Sequence, residues 1–361
     1  EIEAADGNRR RLHTRAVVIA TGAAPVKPPI SGLDSVRSVT SETLWDALDP
    51  CEQAPGQVVV LGGGPIGSEL TQALARLGSS VTLVERGDRL LPREDPEVSA
   101  AVREALEADG VSILTNHSAL RCGTGQRDWI ELGQAGGSTR LEFDLLLIAV
   151  GRAARLQGYG LEALGIRTDR VVQTNAWLET LYPNILAAGD VAGPYQFTHA
   201  AGYQAWIATV NALFGQLWRF KIDHRIMPRA TFTDPEVARV GLSEQEARDQ
   251  GIAVTVSRYG IDDLDRALAD SSATGFIKVL TVPGRDRILG VTIVGPHASD
   301  LLAEFVLAMR RGLGLNRILG TIHAYPTLAE ANRMVAGVWR RSTLNPRLDG
   351  LLERYHRWRR G

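Results

Sequence analysis

Four consecutive apolar residues, Val58, Val59, Val60 and Leu61, predict a strand buried on both faces, as in a parallel sheet. Residues 68–77 come next, with Leu70, Ala73, Leu74 and Leu77 at helical spacing, and residues 80–84 predict a second strand. Upstream, residues 2–11 alternate and turn at Asp6-Gly7-Asn8, a hairpin pattern. Residues 16–20 predict a short buried strand closed by Thr21-Gly22, and Pro25, Pro28 and Pro29 make residues 25–29 a rigid connector. Residues 40–48 predict a short helix capped by Thr40 or Ser41, and the polar stretch 51–57 predicts a domain boundary. Downstream come a helix over 94–109 ended by Gly110, a strand over 111–114 and a meander of short antiparallel strands over 121–141. The apolar run 143–150 ends at Gly151-Arg152. A short helix over 161–165, strands over 171–174 and 185–188, and an apolar helix over 198–214 complete this half. From Met227 the rhythm changes to strands over 254–259, 276–281 and 288–294, then helices over 298–311 and 328–341, which predicts a separate α+β domain. The basic tail 348–360, with Tyr355 and Trp358, reads as a solvated amphipathic helix.

The glycines between the first strand and helix add chemistry. Gly62, Gly64 and Gly67 stand at the G-x-G-x-x-G positions, and the second strand ends at Glu85. Strand, glycine turn, helix, strand and acid make a dinucleotide-binding unit. Gly62 allows the tight turn, Gly64 lets backbone approach a pyrophosphate, and Gly67 lets helix lie close on strand. The helix N-terminus offers N–H groups and partial positive charge to phosphates. Glu85 would accept hydrogen bonds from ribose hydroxyls and repel a 2′-phosphate, which favours NAD, whereas its neighbour Arg86 could hold that phosphate and admit NADP.

Composition changes this picture little. With 361 residues the chain has room for two or three domains, and its 40 Lys and Arg against 41 Asp and Glu give no basic excess to suggest a nucleic-acid partner. Cys51 and Cys122, the only cysteines, form neither a disulfide framework nor a zinc spacing, so no metal site is expected. The sequence contains no signal peptide and no apolar run of bilayer-spanning length, and the chain reads as cytoplasmic. Its start at Glu1 rather than Met is expected not to be the start of the gene.

Ala20-Thr21-Gly22, Gly151-Arg152, the run Ile185 to Gly189-Asp190-Val191, and Tyr325-Pro326-Thr327-Leu328-Ala329-Glu330 stand in order around the glycine turn. Together they resemble the FAD-dependent pyridine nucleotide–disulfide oxidoreductases, the family of mercuric reductase, dihydrolipoamide dehydrogenase and glutathione reductase. The resemblance covers nearly the whole chain. It implies an α/β protein in which a remnant FAD domain (1–50 and 153–224) is interrupted by a Rossmann-like NAD(P) domain (51–152). An α+β dimerisation domain (225–345) and the tail (346–361) complete the chain. It further implies a homodimer that binds FAD and NAD(P)H and reduces a disulfide or small-molecule acceptor.

By this resemblance Asp190, after Gly189, binds the ribityl chain of FAD; from the residues alone the lesser alternative is a helix N-cap. Thr21, Gly22 and Gly151 mark turns at the nucleotide domains. Glu69 matches an acid near the nicotinamide, with a solvated first-turn acid as the alternative. The chain departs from the family pattern in several places. The N-terminal strand–GxGxxG–helix and the C-x4-C redox pair are absent from residues 1–361, so this stretch alone is expected to bind NADH, retain no FAD and lack reductase activity. Pro65 stands where some members carry a Tyr over the flavin. Tyr325 occupies the place of the acid–base His, with Glu330 kept as its orienting acid; a phenol titrates near pH 10 and is a poor base at pH 7. His323 is the candidate substitute or a plain structural His. Two rival readings remain open: a non-catalytic dinucleotide-binding, dimerising protein, and a flavin transhydrogenase or quinone reductase.

Overall fold

The computed structural model describes residues 2–3, 6–343 and 346–361, and it divides into two compact units. The larger comprises residues 27–150 and 225–361. Its first layer is a five-stranded parallel sheet in the spatial order Ser38–Thr40, Leu145–Ile148, Gln57–Leu61, Ser80–Val84, Ser112–Leu114. Alternate side chains of the central strand serve opposite cores. Val58 and Val60 pack with Leu74, Val98, Val102 and Leu106 of the helices Pro65–Arg76 and Pro96–Ala108. Val59 and Leu61 pack with Ile130, Leu132 and Phe143 of a three-stranded antiparallel meander, Ser118–Gly123, Asp128–Gln134 and Gly137–Phe143. Both faces are covered, which is why the run 58–61 carries no polar residue.

The same unit holds a five-stranded antiparallel sheet ordered Arg229–Thr231, Glu236–Gly241, Ile288–Gly295, Phe276–Thr281, Thr255–Gly260. Its core side packs against the helices Ala298–Arg310, Leu315–Leu319 and Glu330–Ser342, around Phe305, Val335 and Trp339. The tail forms the helix Pro346–Arg360.

The smaller unit comprises residues 1–26 and 151–224. Val17–Ile19 pairs parallel with Ile185–Ala187, and Ala23–Pro25 pairs antiparallel with Arg152–Ala154. The helix Thr198–Phe214 packs Ile207 and Ala208 against Leu186 and Ala188. The expected hairpin forms between Ile2–Glu3 and Arg9–Arg10; residues 4 and 5 of that pattern lie outside the described residues.

Several expectations need correction. Residues 40–48 are not one helix: Ser38–Thr40 pairs with Leu146–Ile148, and only Leu44–Leu48 is helical. Long-range pairing overrides the local pattern there, with Thr43 Oγ1 accepting from Thr40 N at 3.0 Å. That strand joins the parallel sheet upstream of the boundary expected at Cys51. Residues 171–174 form only an isolated bridge, Thr168 to Val172, because the ladder has no second partner among the described residues. In the 16–20 segment Val17 and Val18 are 45% and 38% exposed, and only Ile19 is buried, since the two-stranded pairing covers the segment only in part. The first helix begins at Pro65 rather than at residue 68, Pro being favoured in the first turn. The strands Arg229–Thr231 and Glu236–Gly241 and the short helices Glu244–Asp249, Asp265–Ala269 and Leu315–Leu319 are additional to the expected elements. No helix among the described residues is long and apolar enough to cross a membrane.

Candidate functional site

The glycine turn is a close contact between its own two ends. Gly62 has φ +106°, and a Cβ there would sit 2.6 Å from Ala149 O. A Cβ on Gly67 would lie 1.8 Å from Gly62 O, so only glycine lets the helix descend onto the turn. Gly64, by contrast, precedes the helix in extended conformation, and a Cβ there would meet nothing within 4 Å. The open ground lies directly at the helix N-terminus. Ser68 N makes the first intrahelical bond, to Gly64 O at 2.9 Å, so the N–H groups of Ile66 and Gly67 precede the helical ladder.

Glu85 clasps this turn. Its Oε2 accepts from Gly63 N at 2.7 Å and its Oε1 from Gly87 N at 2.6 Å. Each carboxylate oxygen keeps a further lone pair for a ribose hydroxyl. Gly63, an unspecified position of the motif, thus has a part in the turn. It is buried, its O accepts from Leu91 N at 2.8 Å, and a Cβ would meet Leu90 Cδ2 at 2.6 Å. Arg86 is exposed beside this clasp.

Glu69 departs from the solvated alternative. It is half-buried and its Oε1 accepts from Phe232 N at 2.8 Å, so it ties the helix to the antiparallel layer. Burial pushes its carboxyl above the usual range, partly offset by that N–H.

In the smaller unit the parallel pair Val17–Ile19 and Ile185–Ala187 places Thr21-Gly22 and Gly189-Asp190 at adjoining carboxyl ends, where α/β sheets bind ligands. Thr21 Oγ1 donates to Arg155 O at 3.1 Å, and Gly22 O accepts from Arg155 N. Gly189 N donates to the buried Gln204 Oε1 at 2.7 Å, an anchor that sequence reasoning missed because a lone Gln in an apolar helix carries no motif. Asp190 is no N-cap: that place before the helix belongs to Phe197. Its carboxylate lies 3.8 Å from Arg152 Nε, while Arg152 Nη2 donates to Ala23 O at 2.9 Å. Gly151, at φ +138°, accepts from Val26 N at its carbonyl.

Tyr325 and Glu330 are not hydrogen-bonded to one another among the described residues. Tyr325 OH donates to Asp265 Oδ2 at 3.0 Å, while Glu330 is 6% exposed and lies 3.8 Å from Arg333. The hydrogen bond to Asp265, then its charge, hold the Tyr325 phenol above its ordinary value. His323 does not take over as a free base. Nδ1 faces Thr321 O at 3.0 Å and Nε2 faces both Glu304 oxygens at 3.1 Å, so both ring nitrogens are engaged. Asn332 Nδ2 donates to the same Glu304 at 2.8 Å. The imidazole is a strut beneath the 321–327 loop.

Asp95, Glu97 and Glu244 come together, but Lys278 Nζ stands among them, 2.6, 2.5 and 3.4 Å away. This is an ion-pair node holding its own cation. Cys51 is exposed and free; Cys122 is buried, its thiol pushed up to about 11 chiefly by that burial.

The family model described as pyridine nucleotide-disulphide oxidoreductase matches residues 1–205, and that of the family's dimerisation domain matches residues 227–336. A dihydrolipoyl dehydrogenase of Thermus scotoductus is 38% identical over 90% of this chain and 69% of its own length. A mercuric reductase of Lysinibacillus sphaericus is 35% identical over 91% of this chain and 60% of its own. Among solved structures, LpdA of Mycobacterium tuberculosis superposes with a TM-score of 0.83 at 27% identity, over 92% of this chain and 71% of that one. The HOCl-induced flavoprotein disulfide reductase RclA of Escherichia coli gives 0.81 at 28% identity, over 91% and 74%. The chain thus spans 60% to 69% of the length of these two curated relatives.

Proposed function

Because this chain belongs to the pyridine nucleotide–disulphide oxidoreductase family, we propose that the protein is a flavin-dependent oxidoreductase. It would pass a hydride from NAD(P)H to FAD and on to a disulfide or another small acceptor. The observation that carries this reading is the glycine turn: a helix N-terminus left open at Gly64 and clasped from below by Glu85. The N–H groups of Ile66 and Gly67 would bind the pyrophosphate of the nicotinamide dinucleotide, and Glu85 its ribose. The carboxylate favours NADH over NADPH. The adjoining strand ends in the smaller unit fit FAD: Asp190 would hold the ribityl hydroxyls, with Thr21, Gly22 and Gly189 shaping the turns against it. FAD, when bound, supplies the two-electron acceptor for the nicotinamide hydride. This chain's residues bind and orient; Tyr325, as a neutral phenol, offers hydrogen bonding where a His would offer a base. Assembly as a homodimer through the domain matched at 227–336 and a cytoplasmic location complete the reading.

The test is anaerobic titration of the protein, expressed from its whole gene, with NADH. The visible flavin band should bleach stoichiometrically. A flavin-free protein, or a flavin that NADH leaves oxidised, would overturn the reading.

A further inference from the structure

The loop 321–327 presents a phenol whose surroundings are acidic. Tyr325 is 70% exposed, and its hydroxyl reaches Asp265 on the helix Asp265–Ala269. Asp265 is followed by Arg266, but that guanidinium is committed to Asp270 at 2.6 and 2.7 Å. Arg333 lies against Glu330. A second phenol, Tyr259, donates to Asp263 O at 3.2 Å, and it is shifted up first by burial and then by Asp263, Asp262, Glu330 and Asp265. The charged groups around the two phenols are therefore Asp262, Asp263, Asp265 and Glu330, with Arg266 and Arg333 engaged with acids.

Resting on the reading of position 325 as the acid–base position, we propose that Asp265 is the positioning residue for Tyr325. It takes the phenolic hydrogen bond in place of Glu330 and leaves only the oxygen's lone pairs to an incoming substrate group. A hydroxyl has one proton to donate and two lone pairs to accept with. With that proton given to Asp265, the free capacity of Tyr325 is that of an acceptor. The group it suits carries its own hydrogen: a thiol or a hydroxyl, such as a dithiol or a hydroquinone. A thiolate or a carbonyl would meet no donor, and a thiolate would also meet the Asp265 charge behind the phenol. His323, fixed by Glu304 and Thr321, holds the loop that sets this geometry.

The experiment is an ultraviolet difference titration of tyrosinate, by stopped-flow pH jumps read before unfolding. The protein has seven tyrosines, and subtracting the Tyr325→Phe variant isolates one of them. Wild-type Tyr325 should ionise above the ordinary phenol value of about 10. Asp265→Ala should move it down toward that value, with Glu330 leaving a small remainder. Asp265→Asn, which keeps an acceptor oxygen without the charge, should fall between them and carries the test if the Ala variant folds poorly. An identical Tyr325 titration in the wild type and the Asp265→Asn variant would overturn the proposal. The titration needs neither flavin nor acceptor, so that failure leaves the reading of position 325 standing. Unchanged turnover in Tyr325→Phe would remove that reading and the proposal with it.

Discussion

A methyl group at Gly67 has no room, whereas one at Gly64 has only open space before it. The two positions separate folding from binding. Gly67→Ala places a carbon against a backbone oxygen, so helix and turn must part; overpacking of this kind costs about 1–3 kcal/mol. Its denaturation midpoint should fall along with NADH binding. Gly64→Ala should leave the midpoint nearly unchanged and weaken NADH selectively, because its methyl group enters the ground a pyrophosphate would use. Equal NADH affinity in wild type and Gly64→Ala would show that no phosphate sits there. Glu85 carries a second expectation. One charge-assisted hydrogen bond is worth about 1.5–3 kcal/mol, so Glu85→Ala should weaken NADH by about tenfold or more. NADPH should lose less, because the same change removes a repulsion, and the preference for NADH narrows. Parallel fluorescence titrations decide it; tighter NADPH binding by the wild type would give the choice to Arg86.

At the scale of elements, two buried cations join the segment after the glycine turn to the antiparallel layer. Arg239, 1% exposed, meets Glu94 at 2.8 Å and Glu246 at 2.6 Å, and its Nη2 donates to Arg93 O. Lys278 meets Asp95, which also caps the helix Glu244–Asp249 by accepting from Glu244 N and Gln245 N. Burial alone would raise Asp95, but the hydrogen bonds from Lys278 and the two N–H groups outweigh it and hold the carboxyl below its usual range. Burial would likewise lower Lys278, yet its carboxylates hold it above its usual range. The signs fix a window. A depressed carboxyl stabilises the fold above the unfolded value, about pH 3.9, and that contribution is lost as pH falls through the folded one. A raised ammonium stabilises below about pH 10.4 and loses its contribution as pH rises through its folded value. Lys278→Met, which leaves the buried Asp95 carboxylate without its cation, should cost about 3–5 kcal/mol between these limits. The deficit should shrink below about pH 4. A urea-melt difference that stays constant down to about pH 3 would show that the node contributes no charge-dependent stability.

For the whole molecule, the dimerisation-type domain leaves Ile322, within the Tyr325 loop, 97% exposed, with Leu307 at 58%. Exposed aliphatic side chains on one domain are what a second copy would cover. The protein should sediment as a dimer at micromolar concentration, and Ile322→Asp should shift it toward monomer while circular dichroism stays the same. A wild-type monomer under these conditions, or an Ile322→Asp dimer of undiminished affinity, would place the interface elsewhere.

The sequence by itself determined the strand–glycine turn–helix–strand order around residues 57–84. Residues 80–84 read as a strand with the bounds the structure gives, and so do the strand Phe276–Thr281 and the helix Thr198–Phe214. Such elements are local: burial on both faces forces an unbroken apolar run, and close backbone approach forces glycine at fixed spacing. The tertiary structure decided what depends on distant partners. Ser38–Thr40 is a strand because Leu145–Ile148 lies beside it, not because of its own pattern. Tyr325 donates its hydrogen bond to Asp265 rather than Glu330 because a helix 60 positions earlier comes to the loop. Gly63, Gln204, Asp265 and the two buried cations have no motif. A hydrogen bond or ion pair between residues far apart in the chain leaves no periodicity, and only folding brings its two halves together.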